Sequence, residues 1–323
     1  MISRILLAGG FTAGVPLALA GWLALSERLL RSRGRRTAGR LRPWAWLAPG
    51  LLLLVVFLAY PLVNTLLLST KDARSVRFVG LANFSAVLGG AEVRGALRNN
   101  LLWLVLLTAG CLGIGLLVAL LSDRVRYERV AKAAVVLPTA VSFVAGAVVW
   151  RSMYAYRPAG TAQTGTLNAA LVAVTGHDPV SWLVDTRVNN AALITVGVWM
   201  TTGFAAVVLS AALKSVPAEL VEAARMDGAG PWRVFRHVVL PELAPTIVVV
   251  TTFLAITAFK AFDVIYVMTN GSYGTDVIAN VMYRELFVRQ DYGHASAIAV
   301  LLLAVALPVL ALTVRAQRRE VLR

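Results

Sequence analysis

"EAARMDGAGPWRVFRHVVLP", residues 222–241, is a polar and charged island between long apolar runs. Glu222, Ala223 and Ala224 open a helix-favouring piece. Asp227, Gly228, Ala229, Gly230 and Pro231 interrupt it, since Gly and Pro are the strongest local punctuators. Beyond the break, Trp232, Phe235, Val238 and Val239 recur at helical spacing with Arg233, Arg236 and His237 between them. Leu240, Pro241 and Pro245 then close the loop before the next apolar run. The expected shape is helix, turn, helix, lying at a membrane surface. Periodicity alone allows a plain interfacial amphipathic loop as well.

The surroundings fix the class of protein. Of 323 residues, 59% are hydrophobic and 15% charged, with a mean hydropathy of +0.74. A water-soluble domain could not bury that much apolar surface, so the chain reads as an all-α integral membrane protein. A net charge of +15 raises the possibility of a nucleic-acid partner, but the basic residues stand beside apolar segments and do not form one soluble face. Cys111 is the single cysteine, which excludes a disulfide framework.

Crossing about 30 Å of hydrocarbon takes about 20 apolar residues of helix. Segments 5–25, 44–68, 99–121, 133–150, 191–213, 246–268 and 294–314 qualify, about seven spans in all. Arg28, Arg31, Arg33, Arg35, Arg36, Arg40 and Arg42 crowd the first loop, Arg124, Arg126, Arg129 and Lys132 the third, Lys214, Arg225, Arg233 and Arg236 the fifth, and Arg315, Arg318, Arg319 and Arg323 the tail. Those loops outweigh the alternate ones, so the positive-inside rule puts the N-terminus outside and the C-terminus inside, with the island in the cytoplasm. One Arg precedes the first apolar run and seven follow it, opposite to a cleaved signal peptide, so an uncleaved first helix is expected.

The order of residues in the island resembles the EAA loop of ABC importer permeases: Glu-Ala-Ala, three residues, Gly, nine residues, Ile, one residue, Leu-Pro. Glu222, Ala223, Ala224, Gly228, Leu240 and Pro241 fall at the required places, with Val238 for the Ile. The resemblance extends from about residue 44 to 314, including "RNNLLWLV", "FDVIYVMTNG" and "DYGHASAIAVLLL", where the chain looks like a carbohydrate-importer permease. "SDRVRYERVAKAAVVLPTAVSFVAGAVVW" and "KAFDVIYVMTNGSYGTDVIANVMY" look most like α-glucoside permeases of the trehalose, maltose and sucrose type. The resemblance implies an extra helix and basic loop over 1–43 and a permease domain over 44–323, with its coupling loop at about 214–245. It implies a second related permease, a cytoplasmic ATPase dimer and an extracellular solute-binding protein as partners, in a bacterial cytoplasmic membrane. Glu222, Ala223, Ala224, Met226, Asp227, Gly228 and Trp232 would form the face that docks on the ATPase, with Gly228 keeping the turn clear of a side chain.

Lys71, Lys132, Lys214 and Lys260 all lack the preceding Gly of a Walker A loop, so ATP and its Mg would be used by a partner. His177, His237 and His294 are far apart in sequence, and neither a metal site, a bound cofactor nor an enzymatic activity is expected. Lys260 and Asp263 stand three apart inside the sixth span, where charge must face a partner or a wet cavity. They either pair with each other or a neighbour as architecture, or line a sugar path. Phe259, Phe262 and Tyr266 among them suit a sugar, whose apolar CH faces lie on aromatic rings. An ion-gradient-driven secondary transporter using Lys260 and Asp263 is the rival reading; inverted repeats and broken helices would mark it, and no internal repeat is visible. An intramembrane enzyme would need a catalytic constellation that is not found.

Overall fold

Backbone groups in hydrocarbon must be paired within their own segment, and the apolar runs accordingly fold as helices. The computed structural model describes residues 14, 17, 18, 20–30, 35–122 and 127–321. Among them the only extended pairing is one isolated bridge between Lys71 and Phe78. The expected first span, 5–25, and the basic residues Arg4, Arg31, Arg33, Arg124, Arg126 and Arg323 lie wholly or partly outside the described residues.

Residues up to Leu67 and residues from Leu68 onward form two separate units. In the first, residues 20–30 form α1 and Arg35–Leu54 forms α2, which continues through Val55–Ala59 into α3, Tyr60–Leu68. Trp22 Nε1 donates to Ala45 O at 2.8 Å, and Arg42 pairs with Glu27 at 3.0 Å.

The second unit holds α4 (Ala82–Gly89), α5 (Ala91–Ser122), α6 (Glu128–Val136), α7 (Phe143–Met153), α8 (Thr166–Thr175) and α9 (Asn189–Lys214). After these come α10 (Ala218–Met226), α11 (Pro231–Val234), α12 (Leu240–Phe259), α13 (Asp263–Met268), α14 (Ile278–Tyr283) and α15 (Tyr292–Val321).

Among the described residues, four stretches are long and apolar enough to cross a membrane: Gly39–Leu68, Ala91–Ser122, Asn189–Lys214 and Pro231–Met268. The expected straight span over 133–150 is corrected. It is two helical pieces, Glu128–Ala140 and Phe143–Met153, bent by 102°. Pro138 lies in the short tight helix Leu137–Ala140, and extended Ser142 restarts the chain by accepting a hydrogen bond from Ala145 N. The seventh expected span is part of α15, whose described apolar stretch runs from Tyr292 to Pro308.

Two helices contain a wider π turn directly before a proline. Val55–Ala59 precedes Pro61, and Phe235–Val239 precedes Pro241. A proline donates no N–H and its ring crowds the carbonyl four residues back. The wider turn relieves that crowding by moving the preceding bond one residue on, so that Leu240 N reaches Phe235 O. In consequence Pro241 does not close the island before a separate span, as the sequence suggested. The helix runs without interruption from Pro231 to Phe259.

Lipid offers helices no hydrophobic reason to associate, so close approach through small residues must supply the contact. A Cβ on Gly115 of α5 would stand 2.9 Å from Ala205 Cβ and 3.1 Å from Ala206 N of α9. One on Gly203 of α9 would stand 2.6 Å from Val135 O and 2.8 Å from Val136 Cα of α6. Around these contacts Trp103, Leu107, Leu193, Val196, Leu209, Val250, Leu254 and Ile265 form the core.

Asparagines tie the loops at one end. Asn99 Nδ2 donates to Gly274 O (2.7 Å) and Asp276 O (2.8 Å), Asn100 Oδ1 accepts from Ile278 N (2.8 Å), and Asn189 Nδ2 donates to Tyr273 O (2.8 Å). Tyr292 N adds a bond to Ala73 O at 3.0 Å. At the opposite end, Glu128 of α6 pairs with Lys214 at the last turn of α9, close to the island.

Candidate functional site

The island folds as its residues require. Helix α10 ends in two bonds, Gly228 N to Arg225 O and Ala229 N to Ala224 O, both 3.0 Å. These satisfy carbonyls that a helix C-terminus leaves orphaned, and the motif needs a left-handed residue between them. Gly228, with φ +77°, is that residue. The sequence argument that a side chain would obstruct the turn is corrected, because a Cβ at Gly228 meets nothing within 4 Å. The glycine is required by its backbone angle, which L side chains rarely adopt.

Gly230 is extended and Pro231 occupies the first position of α11, where a missing N–H costs nothing. Buried Val234 anchors this second piece, and the rings of Trp232 and Phe235 lie 5.6 Å apart. Glu222, Ala223, Asp227 and Gly228 are exposed, Ala224 and Leu240 are half-buried, and Pro241 is exposed. Met226 and Trp232 are 87% and 68% exposed. Two large apolar side chains thus stand exposed side by side with charged residues on this helix-turn-helix.

A second feature lies within the bundle. Helix α12 ends at Phe259, Lys260 bonds back to Ile256 O at 3.1 Å, and the chain restarts at Asp263. The expected unbroken span is therefore interrupted at its two charged residues. Non-helical backbone at membrane depth is tolerated where it lines a cavity. One does lie here, of about 330 Å³, walled by Trp103, Phe143, Phe253, Lys260, Phe262 and Asp263. Among the described residues Lys260 and Asp263 form no ion pair with each other. Trp103 is buried and its Nε1 has no hydrogen-bond partner there.

Of the five residues expected on a substrate path, Lys260, Phe262 and Asp263 line this cavity. Phe259 does not; it is buried in the helix packing. Tyr266 stacks on Phe262 at 5.2 Å instead, and both meet Tyr283, which in turn meets Phe287 at 4.8 Å. Tyr283 and Phe287 escaped the sequence reading, although 262/266 and 283/287 both show the four-residue spacing that brings rings together on a helix. A hydrogen bond with Tyr266 pushes the Tyr283 phenol above its ordinary pKa.

Possible ligating atoms of Glu285, Asp291 and His294 also come within 4.8 Å of one another. Their bonds are already engaged: Glu285 with Arg289, and Asp291 with the backbone N (2.8 Å) and ring (2.7 Å) of His294, capping α15.

Residues 111–320 match the family described as binding-protein-dependent transport system inner membrane component. This chain belongs to that family. The match contains the whole exposed helix-turn-helix and the broken span. The chain is 46% identical to the osmoprotective compounds uptake permease protein GgtC of Synechocystis sp., over 84% of this chain and 96% of that protein. It is 38% identical to the alpha-glucoside transport system permease protein AglF of Rhizobium meliloti, over 99% and 96% of the two chains. A bacterial ABC transporter involved in the import of alginate shares its fold, with a TM-score of 0.76 over 88% of this chain and 99% of that one at 24% identity. The chain is thus an ABC transporter permease, an inner membrane component related to transport subunits and not to enzymes.

Proposed function

We propose that this permease imports a sugar, an α-glucoside of the trehalose, maltose or sucrose type, by ATP-driven alternating access. The observation that carries the reading is the exposed Met226 and Trp232 on a helix-turn-helix fixed by Gly228. That surface docks on an ATPase dimer, which uses ATP and Mg, while a second permease completes the pathway and an extracellular binding protein delivers the solute. The relatives named for osmoprotective compounds and alpha-glucosides support the substrate class. So does the cavity, where aromatic walls meet the charged side chains of Lys260 and Asp263. A pyranose has apolar faces for the rings and hydroxyls that both accept and donate.

In this reading the N-terminus is outside, and the end bearing Glu128, Lys214 and the helix-turn-helix faces the cytoplasm. A tag after Met1 should react with an impermeant reagent on whole cells, and one after Arg323 should not; the reverse pattern would overturn the orientation.

Breaks at 141–142 and 260–262 are features that an ion-driven carrier would also display. The family description, a binding-protein-dependent system, speaks against that rival. In vesicles carrying the complete complex, uptake of labelled trehalose, maltose or sucrose should require both ATP and binding protein, and should persist when ionophores collapse the ion gradients. Uptake without ATP that collapses with the gradient would restore the carrier.

A further inference from the structure

Helix α6 is fastened to α9 at three points. Lys132 and Lys214 both donate to Glu128 Oε1, at 2.6 and 2.5 Å. Lys132 also donates to buried Ser210 of α9. One helical turn further along α6, the backbone at Val135 and Val136 lies directly on Gly203 of α9. Lys214 is the last residue of α9, and α10, which carries Glu222 to Met226, begins only at Ala218. From α6 the chain turns through 102° into α7, whose first residue, Phe143, is a wall of the cavity.

We infer that Glu128 is a positioning residue that makes the bent pair α6 and α7 follow the docking loop, so that movement at α10 reaches the cavity at Phe143. The inference rests on the docking role proposed above. The geometry has the needed parts. Of the three contacts between α6 and α9, the one between Glu128 and Lys214 is at the end of α9, the loop is joined to that end by the three residues 215–217, and the bend converts displacement at the membrane surface into displacement of a cavity wall. Without Glu128 the tie nearest the docking loop is gone, and the contacts at Ser210 and Gly203, further back along α9, pass less of the movement at α10 to α6.

The test uses the complete transporter with a single reporter, Val144→Cys, on the exposed first turn of α7 beside Phe143. Cys111 is buried and should remain silent. The rate of labelling by a water-soluble maleimide should differ between the nucleotide-free state and the state trapped with ATP and vanadate. With Glu128→Gln, ATPase subunits should remain bound and ATP should still be hydrolysed, but labelling should lose most of its nucleotide dependence. The exchanged variant Glu128→Lys with Lys214→Glu should regain it.

A nucleotide response in Glu128→Gln equal to that of the parent would overturn the inference. Should Glu128→Gln fail to assemble, the exchanged variant decides, since assembly without a nucleotide response overturns the inference too. Crosslinking of Met226→Cys to the ATPase checks the docking role separately. A crosslink with normal labelling in Glu128→Gln would reject the transmission role alone, and absence of the crosslink in the parent would reject the docking reading itself.

Discussion

Replacing Gly228 with valine should leave a permease that inserts into the membrane but loses most of its ATPase and most of its uptake. The left-handed conformation costs an L residue roughly 1–2 kcal/mol, and a β-branched side chain makes it worse. Shifting a local equilibrium by that amount changes the population of the docking geometry by a factor of about 5 to 30. Because Gly228 is exposed and a Cβ there touches nothing within 4 Å, the bundle itself should be unaffected. The backbone account also ranks substitutions. Asparagine, which tolerates left-handed angles, should retain more ATPase and uptake than alanine, and alanine more than valine. If asparagine and valine were equally damaging, the requirement would be for space in the docked complex and not for the backbone angle.

The second large effect is expected in the cavity. Because Asp263 is not paired with Lys260 and lines the cavity with it, Asp263→Asn should assemble normally. A buried pair broken from one side would instead cost about 3–5 kcal/mol and reduce complex yield. Exchanging a carboxylate acceptor for an amide removes a charge-assisted bond worth about 1.5–3 kcal/mol, which is about a 10- to 150-fold loss of apparent affinity for sugar. Complex yield and concentration-dependent uptake, measured on the same preparation, separate the two. Low yield that recovers when Lys260 is neutralised as well would make the charges architectural and remove them from the sugar path.

The helix-turn-helix could be read from sequence because its requirements are local. A helix-ending motif needs its left-handed residue at a fixed distance from the carbonyls it satisfies, so Ala224 and Gly228 stand in a spacing that the sequence displays. Pro231 at the start of α11 follows the same local logic.

What the sequence hid depends on contacts far along the chain. Nothing near Asn99, Asn100 or Asn189 announces that they hold residues 273–278. Phe259 and Phe262 are three residues apart and both apolar, yet a break between them sends one into the core and the other to the cavity. The bend after Ala140 had a local sign in Pro138 and Ser142, but hydropathy averaged over 133–150 smooths such signs away. Lys260 and Asp263 stand out in the sequence because charge inside a span must have a reason, and the chain breaks there beside a cavity that both line.

The π turn at Phe235–Val239 gives the docking surface a phase as well as a position. An α-helix advances about 100° per residue, and a π turn takes one extra residue into a single wider turn with little added rotation. Trp232 therefore points in a direction fixed by the wide turn behind it, and not by the simple count of residues to the membrane. Adding one residue to the α-helical stretch beyond the wide turn would preserve every side chain thought to touch the ATPase, yet swing the whole docking face about the axis of α12 by roughly a quarter-turn, whereas removing one within 235–239 would close the wide turn to an ordinary one and leave the face nearly in place. Outside the wide turn a length change of one residue acts as an angular error, and the wide turn ahead of Pro241 is the one place where the compass bearing of the interface is held against it.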